Sequence, residues 1–234
     1  VASREIAKTC RELGIHLVYA STDMVFDGES GNYAESSDAR PLNVYGNHKL
    51  LAEQAIHDVC PMATICRLPW MFGVPTPSYD GHFGGMVRSF LADESVTLFE
   101  DEFRTPLGTE QVATAILDIS LAMTSAQDFS GDLAVPRVLH IAGPLTASRF
   151  EIGCWAAEGL GASNDRVVRA SRADGASVAK RPANTSLVSE FPDHLGDIPK
   201  RDIKADIVSC ALRIKHEIEC PSPGDHSHTG HHQN

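Results

Sequence analysis

Ile6, Cys10 and Leu13 recur at helical spacing, and Gly14 stops that helix. Ile15-His16-Leu17-Val18-Tyr19-Ala20 follows as a largely apolar run of strand length that ends at Ser21-Thr22. An unbroken run, rather than an alternating one, predicts a parallel strand buried on both faces. Residues 27–44 are rich in Gly, Ser, Asp and Pro and predict a loop. A helix over about 44–59 and a second buried strand, Ala63-Thr64-Ile65-Cys66-Arg67-Leu68, come next. Helix, strand, loop, helix, strand is the rhythm of an α/β, doubly wound parallel sheet. Ligands bind such sheets beyond the carboxyl ends of the strands. Thr22 stands at one such end and Arg67-Leu68-Pro69-Trp70-Met71-Phe72-Gly73 at another.

Further along, Pro75, Pro77, Gly81, Gly84 and Gly85 predict a loop over 74–85 that leaves the sheet. A short helix from Met86 to Asp93 and a short strand from Val96 to Phe99 are expected after it. Residues 109–123 read as a helix with Val112, Ala115, Ile116 and Ile119 on its apolar face, and Val138–Ala142 as a strand. Ser148-Arg149-Phe150-Glu151 fits a capping box opening a helix that Gly161 closes. Residues 162–200 are polar and broken by Pro and Gly. Asp202 is the expected N-cap of a last helix with Ile203, Ile207, Cys210, Ile214 and Ile218 on one face.

Composition narrows the partners more than the fold. A chain of 234 residues with 42% hydrophobic and 22% charged residues can bury a sizeable core. Its net charge of −11 argues against nucleic acid or an anionic membrane surface as the main partner. The six cysteines form no C-x-x-C pair and read as reduced, mostly buried thiols, which favours a reducing, cytoplasmic setting. No apolar run approaches the ~18 residues of a membrane span. The His-rich stretch 225–232 reads as part of a solvated tail rather than as a metal site, so no metal is expected.

One constellation carries chemistry. Tyr45 precedes Lys49 by four residues, which stacks the two on one helix face about two dozen residues after the strand-end hydroxyl of Thr22. Reducing a carbonyl requires a hydride on one side and a proton for the developing alkoxide. A phenol, with an ordinary pKa of about 10, cycles its proton more easily beside an ammonium. The lysine can also donate to a ribose, and the threonine can hold the carbonyl oxygen against the phenol. General acid catalysis of this kind contributes roughly 10²–10⁴ in rate.

The residues around this set are similar to a known family. Val18-Tyr19-Ala20-Ser21-Thr22-Asp23-Met24-Val25-Phe26-Asp27-Gly28 resembles the strand-end motif of the extended short-chain dehydrogenase/reductases, closest to the dTDP-4-dehydrorhamnose reductase (RmlD-like) branch. Tyr33-x-Glu35 and Pro41-x-Asn43-x-Tyr45-Gly46-x-x-Lys49-Leu50-x-x-Glu53 continue the likeness in register. So do Arg67-x-x-Trp70-x-Phe72-Gly73, Phe103-Arg104-Thr105-Pro106, His140-Ile141-Ala142-Gly143-Pro144 and Lys180-Arg181-Pro182-Ala183-Asn184-Thr185-Ser186-Leu187. The resemblance runs through about residues 1–190. It implies Thr22, Tyr45 and Lys49 as the catalytic set, NADP or NAD as cofactor held in part by Tyr45, Lys49 and Pro69, and a 4-keto nucleotide sugar as substrate. It further implies substrate contacts from Thr22, Trp70, Arg104, Arg181 and Asn184, although a core role for Trp70, a salt bridge for Arg104 and an anchoring role for Arg181 and Asn184 are the competing readings. The implied organisation is a Rossmann portion over 1–75, a substrate-binding lobe over most of 76–220 with 107–142 returning to the sheet, and a disordered tail over 221–234.

The sequence also departs from that pattern. Met24 stands where an aromatic residue is usual, and His48 where a small hydroxyl residue precedes the lysine. The family's Gly-rich phosphate turn after a first strand is absent, and the glycines at 81–85 follow a loop, not a strand. The chain starts without Met, about where the family's fourth helix lies, so it is expected to be an N-terminally truncated form with an exposed sheet edge, marginal stability and poor cofactor binding. Two other readings compete with the reductase. One is a non-catalytic relative like the regulatory subunit of methionine adenosyltransferase, which would act on a protein partner, whereas the reductase could be a homodimer. The other is an epimerase or dehydratase, for which the single acid Asp23 after Thr22 is a poor match.

Overall fold

The computed structural model describes residues 2–76, 81–125, 135–173 and 181–220. Helix α1 (Ala2–Glu12) leads into strand β1 (Val18–Thr22), whose end turns through a short 3-10 segment, Asp23–Val25. After an irregular loop come α2 (Val44–Val59), β2 (Thr64–Leu68) and β3 (Met71–Phe72). Then follow α3 (Gly81–Leu91), β4 (Val96–Phe99), β5 (Phe103–Arg104), β6 (Leu107–Gly108) and α4 (Thr109–Ser125). The described chain finishes with β7 (Val138–His140), β8 (Ala147–Ser148), α5 (Arg149–Leu160), β9 (Val167–Ala170) and α6 (Ile203–Glu219).

The main sheet runs β1-β2-β7, all parallel, with Thr22 opposite Leu68 and Arg67 opposite His140. Every residue of β2 is buried. Ile65 packs with Ala7, Ile56, Cys60 and Ala63 beneath α1 and α2, while Cys66 belongs to the larger core with Leu139, Val112 and Ile119 on the other face. Cover on both faces is why the strand reads as a continuous run in the sequence. The arrangement is the expected α/β parallel sheet. A second layer holds α3, α5 and α6 together through Phe83, Val87, Ile152, Ile207 and Ile214. Each such apolar side chain contributes about 1.5–3 kcal/mol on burial.

Local signals account for most helix ends. Asn43 Oδ1 accepts from Gly46 N at 2.8 Å and starts α2. The capping box of Ser148 and Glu151 is complete, and Gly161 closes α5. Asp202 caps α6 by accepting from Ala205 N at 3.1 Å. Elsewhere the structure corrects the expectation. Helix α3 begins at Gly81, inside the expected loop, because Phe83, Met86, Val87 and Phe90 bury together and outweigh the poor helix propensity of the glycines. Strand β9 lies in the segment read as irregular, where it pairs parallel with β4. The apolar stripe of α1 is only partly used: Ala7 is buried while Ile6 and Leu13 are exposed. Ile218 is likewise exposed, beyond the buried part of α6. Five of the six thiols are buried or half-buried and none is bonded to another; Cys220 is exposed. The segment 221–234 lies outside the described residues. Among the described residues, no helix is long and apolar enough to cross a membrane.

Candidate active site

Helix α2 approaches the end of β1 so closely that position 46 tolerates no side chain, because a Cβ there would fall on the carbonyl oxygen of Met24. That contact delivers Tyr45 and Lys49 to the strand end. Lys49 Nζ donates to the carbonyl oxygen of Ala20 at 2.9 Å. It also lies 4.9 Å from the ring centre of Tyr19 and 6.0 Å from that of Tyr45. An ammonium has three donors, so two remain for a ligand. Tyr45 is 55% exposed, free of the core. Thr22 is buried; its hydroxyl donates to Asp23 Oδ1 at 3.2 Å and accepts from Met24 N at 3.3 Å. The structure therefore brings the three expected catalytic residues to one strand end, with the tyrosine outermost.

Two buried polar clusters flank Thr22. On the Ser21 side, Glu53 Oε1 accepts from the Ser21 hydroxyl and from Arg67 Nε at 3.2 Å, and Glu53 Oε2 accepts from Arg67 Nη2 at 2.8 Å. Arg67 Nη1 lies 3.4 Å from His140 Nε2. On the other side of that ring, Nδ1 is 3.1 and 3.0 Å from the carbonyl oxygens of Tyr33 and Val188. A cationic donor at Nε2 and two acceptors at Nδ1 assign the neutral ring with its hydrogen on Nδ1. Burial holds the imidazole below its ordinary range, and the charge of Arg67 adds to this while Glu35 opposes it.

On the Asp23 side, the carboxylate accepts from Thr185 Oγ1 at 2.6 Å and pairs with Arg104 Nε at 3.5 Å. Arg104 Nη2 continues to Glu102 at 3.2 Å, and Arg181 Nη1 stands 4.0 Å from the other Glu102 oxygen. That oxygen, Oε2, is buried and makes no hydrogen bond among the described residues. Burial pushes the Asp23 carboxyl upward against Arg104 and the two hydroxyls. Arg149, the first residue of α5, lays its guanidinium 4.0 Å from the ring centre of Trp70. Burial pulls it down to about 10, against the pull of Glu102.

The remaining expected ligand residues have protein partners. Pro69 is buried directly after β2, and Trp70 packs near Phe72 and Phe83, at 6.5 and 6.2 Å between ring centres. Arg104 also donates to the carbonyl oxygens of Phe103 and Ala183 at 2.6 and 3.3 Å. Arg181 is exposed, with its guanidinium 5.8 Å from the ring centre of Phe99. Asn184 anchors a loop: its backbone N–H donates to the Gly28 carbonyl at 3.0 Å and its Oδ1 accepts from Ser186 N at 3.0 Å. The side chain packs where a Cβ on Gly31 would sit, and Gly31 has φ +68. Sequence reasoning gave no role to Glu53, His140, Glu102 or Arg149. For Glu53 a signal was present, since it lies four residues beyond Lys49 and eight beyond Tyr45 on the same stripe.

The family described as the RmlD substrate binding domain matches residues 1–215. The chain belongs to that family. It is 30% identical over 199 residues to the probable low-salt glycan biosynthesis reductase Agl14 of Haloferax volcanii, covering 83% of this chain and 63% of that protein. It is 27% identical over 184 residues to methionine adenosyltransferase 2 subunit beta of Danio rerio, covering 78% of this chain and 55% of that one. Its fold is similar to the crystal structure of dTDP-4-dehydrorhamnose reductase from Yersinia enterocolitica, with TM-score 0.76, 26% identity, and 91% of this chain and 71% of that chain covered. The chain thus spans less than two thirds of the length of the curated relatives it first matches.

Proposed function

We propose that this chain forms part of a reductase that delivers a hydride from NADPH or NADH to the keto group of a 4-keto nucleotide sugar. The single observation carrying this reading is the grouping of Tyr45 and Lys49 on α2 against the carboxyl end of β1, beside the Thr22 hydroxyl. The reductase names of its family relatives support it.

The two unused donors of Lys49 fit the ribose hydroxyls of a nicotinamide nucleotide, with Tyr45 and Pro69 beside it. Such a cofactor, when bound, supplies the hydride. The Thr22 hydroxyl turns from Asp23 to the substrate oxygen and orients it. Tyr45 gives its phenolic proton to that oxygen as negative charge develops. The Lys49 ammonium stabilises the phenolate left behind. Arg181, Trp70 and Asn184 lie on the substrate side of the site in this reading, and Arg104 holds the segment that carries two of them.

The test is oxidation of NADPH and of NADH by the complete gene product with dTDP-4-dehydrorhamnose. We expect Tyr45→Phe to lower kcat by about 10²–10⁴. It should leave the thermal midpoint unchanged, since Tyr45 is exposed. Wild-type protein without turnover would defeat the reading. The likeness to the methionine adenosyltransferase subunit favours a second one, a regulatory partner protein. Stable co-purification with a methionine adenosyltransferase catalytic subunit, with no sugar reduction, would establish it.

A further inference from the structure

Glu53 is an acid buried to 5% exposure on the helix that carries the proposed proton donor. Along one stripe of α2, Tyr45, Lys49 and Glu53 follow one another at single turns. All three neighbourhoods grip the end of β1. Lys49 binds the Ala20 carbonyl, Glu53 accepts from the Ser21 hydroxyl, and Gly46 abuts the Met24 carbonyl. Arg67 ties the same carboxylate to β2 with a two-pronged contact. A buried ion pair is a poor source of net stability, because desolvation offsets the attraction. A fork of this kind does fix direction and distance.

We propose that Glu53, through Ser21 and Arg67, is a positioning residue that sets where Tyr45 and Lys49 stand relative to Thr22. This rests on the reductase reading above. Removing the charge leaves the helix attached but unaligned. A displacement of about 1 Å at the reacting groups lowers turnover by about 10²-fold while ground-state binding is kept.

Glu53→Gln keeps the side-chain size and loses the charge. In the complete gene product we expect kcat to fall about 10- to 100-fold, with KM for the 4-keto nucleotide sugar within about twofold of wild type. The pH dependence of kcat should be displaced as well. Arg67→Lys keeps the charge and loses the fork; it carries the test where Glu53→Gln does not fold, and should show an intermediate loss. Ile207→Val, in the core between α5 and α6, lowers stability but should leave kcat unchanged. A readout independent of turnover is the ring ¹³Cζ resonance of Tyr45 in tyrosine-labelled protein. It should move in Glu53→Gln, move less in Arg67→Lys and stay in Ile207→Val. Folded Glu53→Gln with wild-type kcat and an unmoved Tyr45 resonance would overturn the proposal while the reductase reading stands. A wild-type protein without turnover overturns both.

Discussion

The groups buried beside Ser21 and those buried beside Asp23 sit one residue to either side of Thr22, yet they are satisfied to different degrees. Around Glu53 each carboxylate oxygen has its donors, and one cation faces one anion. Around Asp23 and Glu102, three guanidiniums stand in electrostatic reach of two carboxylates, Glu102 Oε2 has no hydrogen bond among the described residues, and Arg149 rests on Trp70. The closed cluster locks α2 to the sheet. The open one, next to the expected substrate residues, keeps donors and an acceptor whose needs are partly unmet among the described residues. Rigidity is placed under the proposed proton donor, and unsatisfied polarity where a polar ligand is expected.

The contrast can be broken most sharply by deleting each cluster's arginine. Arg67→Met strands the Glu53 carboxylate with no second cation paired to it among the described residues, and we expect a loss of about 3–5 kcal/mol in urea denaturation. Arg104→Met leaves Arg149 and Arg181 near Asp23 and Glu102, so the loss should be about 2–3 kcal/mol. Equal losses would mean that the two clusters do not differ in closure.

Acid should separate them by sign. The folded state depresses His140, so the unfolded chain takes up that proton first, near the ordinary value of 6.5. Stability is full above that pH and falls as pH drops below it, by at most about 1.4 kcal/mol per pH unit for one proton. Asp23 is raised in the fold, so its protonation at lower pH works the other way and relieves a burdened cluster. Thermal melts from neutral pH downward should show the decline in wild type and a flatter profile in His140→Asn. An identical slope in both would remove His140, with its neighbours Arg67 and Glu35, as the acid-sensitive element. The smallest effect is the control: Ser148→Ala removes the cap of α5 beside Arg149 and the hydroxyl's bond to Glu151, and leaves both clusters intact. It should cost about 1 kcal/mol by denaturant midpoint.

What could be read in advance follows the range of the interactions. The start of α2 at Asn43, the Ser148–Glu151 box and the Asp202 cap are each decided within four residues, and the sequence displays them. The Tyr45 and Lys49 spacing is as local, while Thr22 joins them from the preceding strand end. Strand β9 is decided by β4, some seventy positions away, and the α3 start by partners such as Trp70 and Phe72. Arg104 is an ordinary arginine in the sequence. Only the fold brings Asp23, Glu102 and the 182–183 carbonyls around it.

The clamp between the loop after β1 and the segment around Asn184 has a consequence in time. Asp23 meets Thr185 across 162 positions, and Asn32 meets Ser186 across 154. Contacts of such span close late, after the loop entropy between them has been overcome. On a ribosome, the floor beneath Thr22 stays unmade until nearly the whole described chain has emerged. Until then a nascent chain carries Thr22, Tyr45 and Lys49 in order without the segment that closes the floor beneath them.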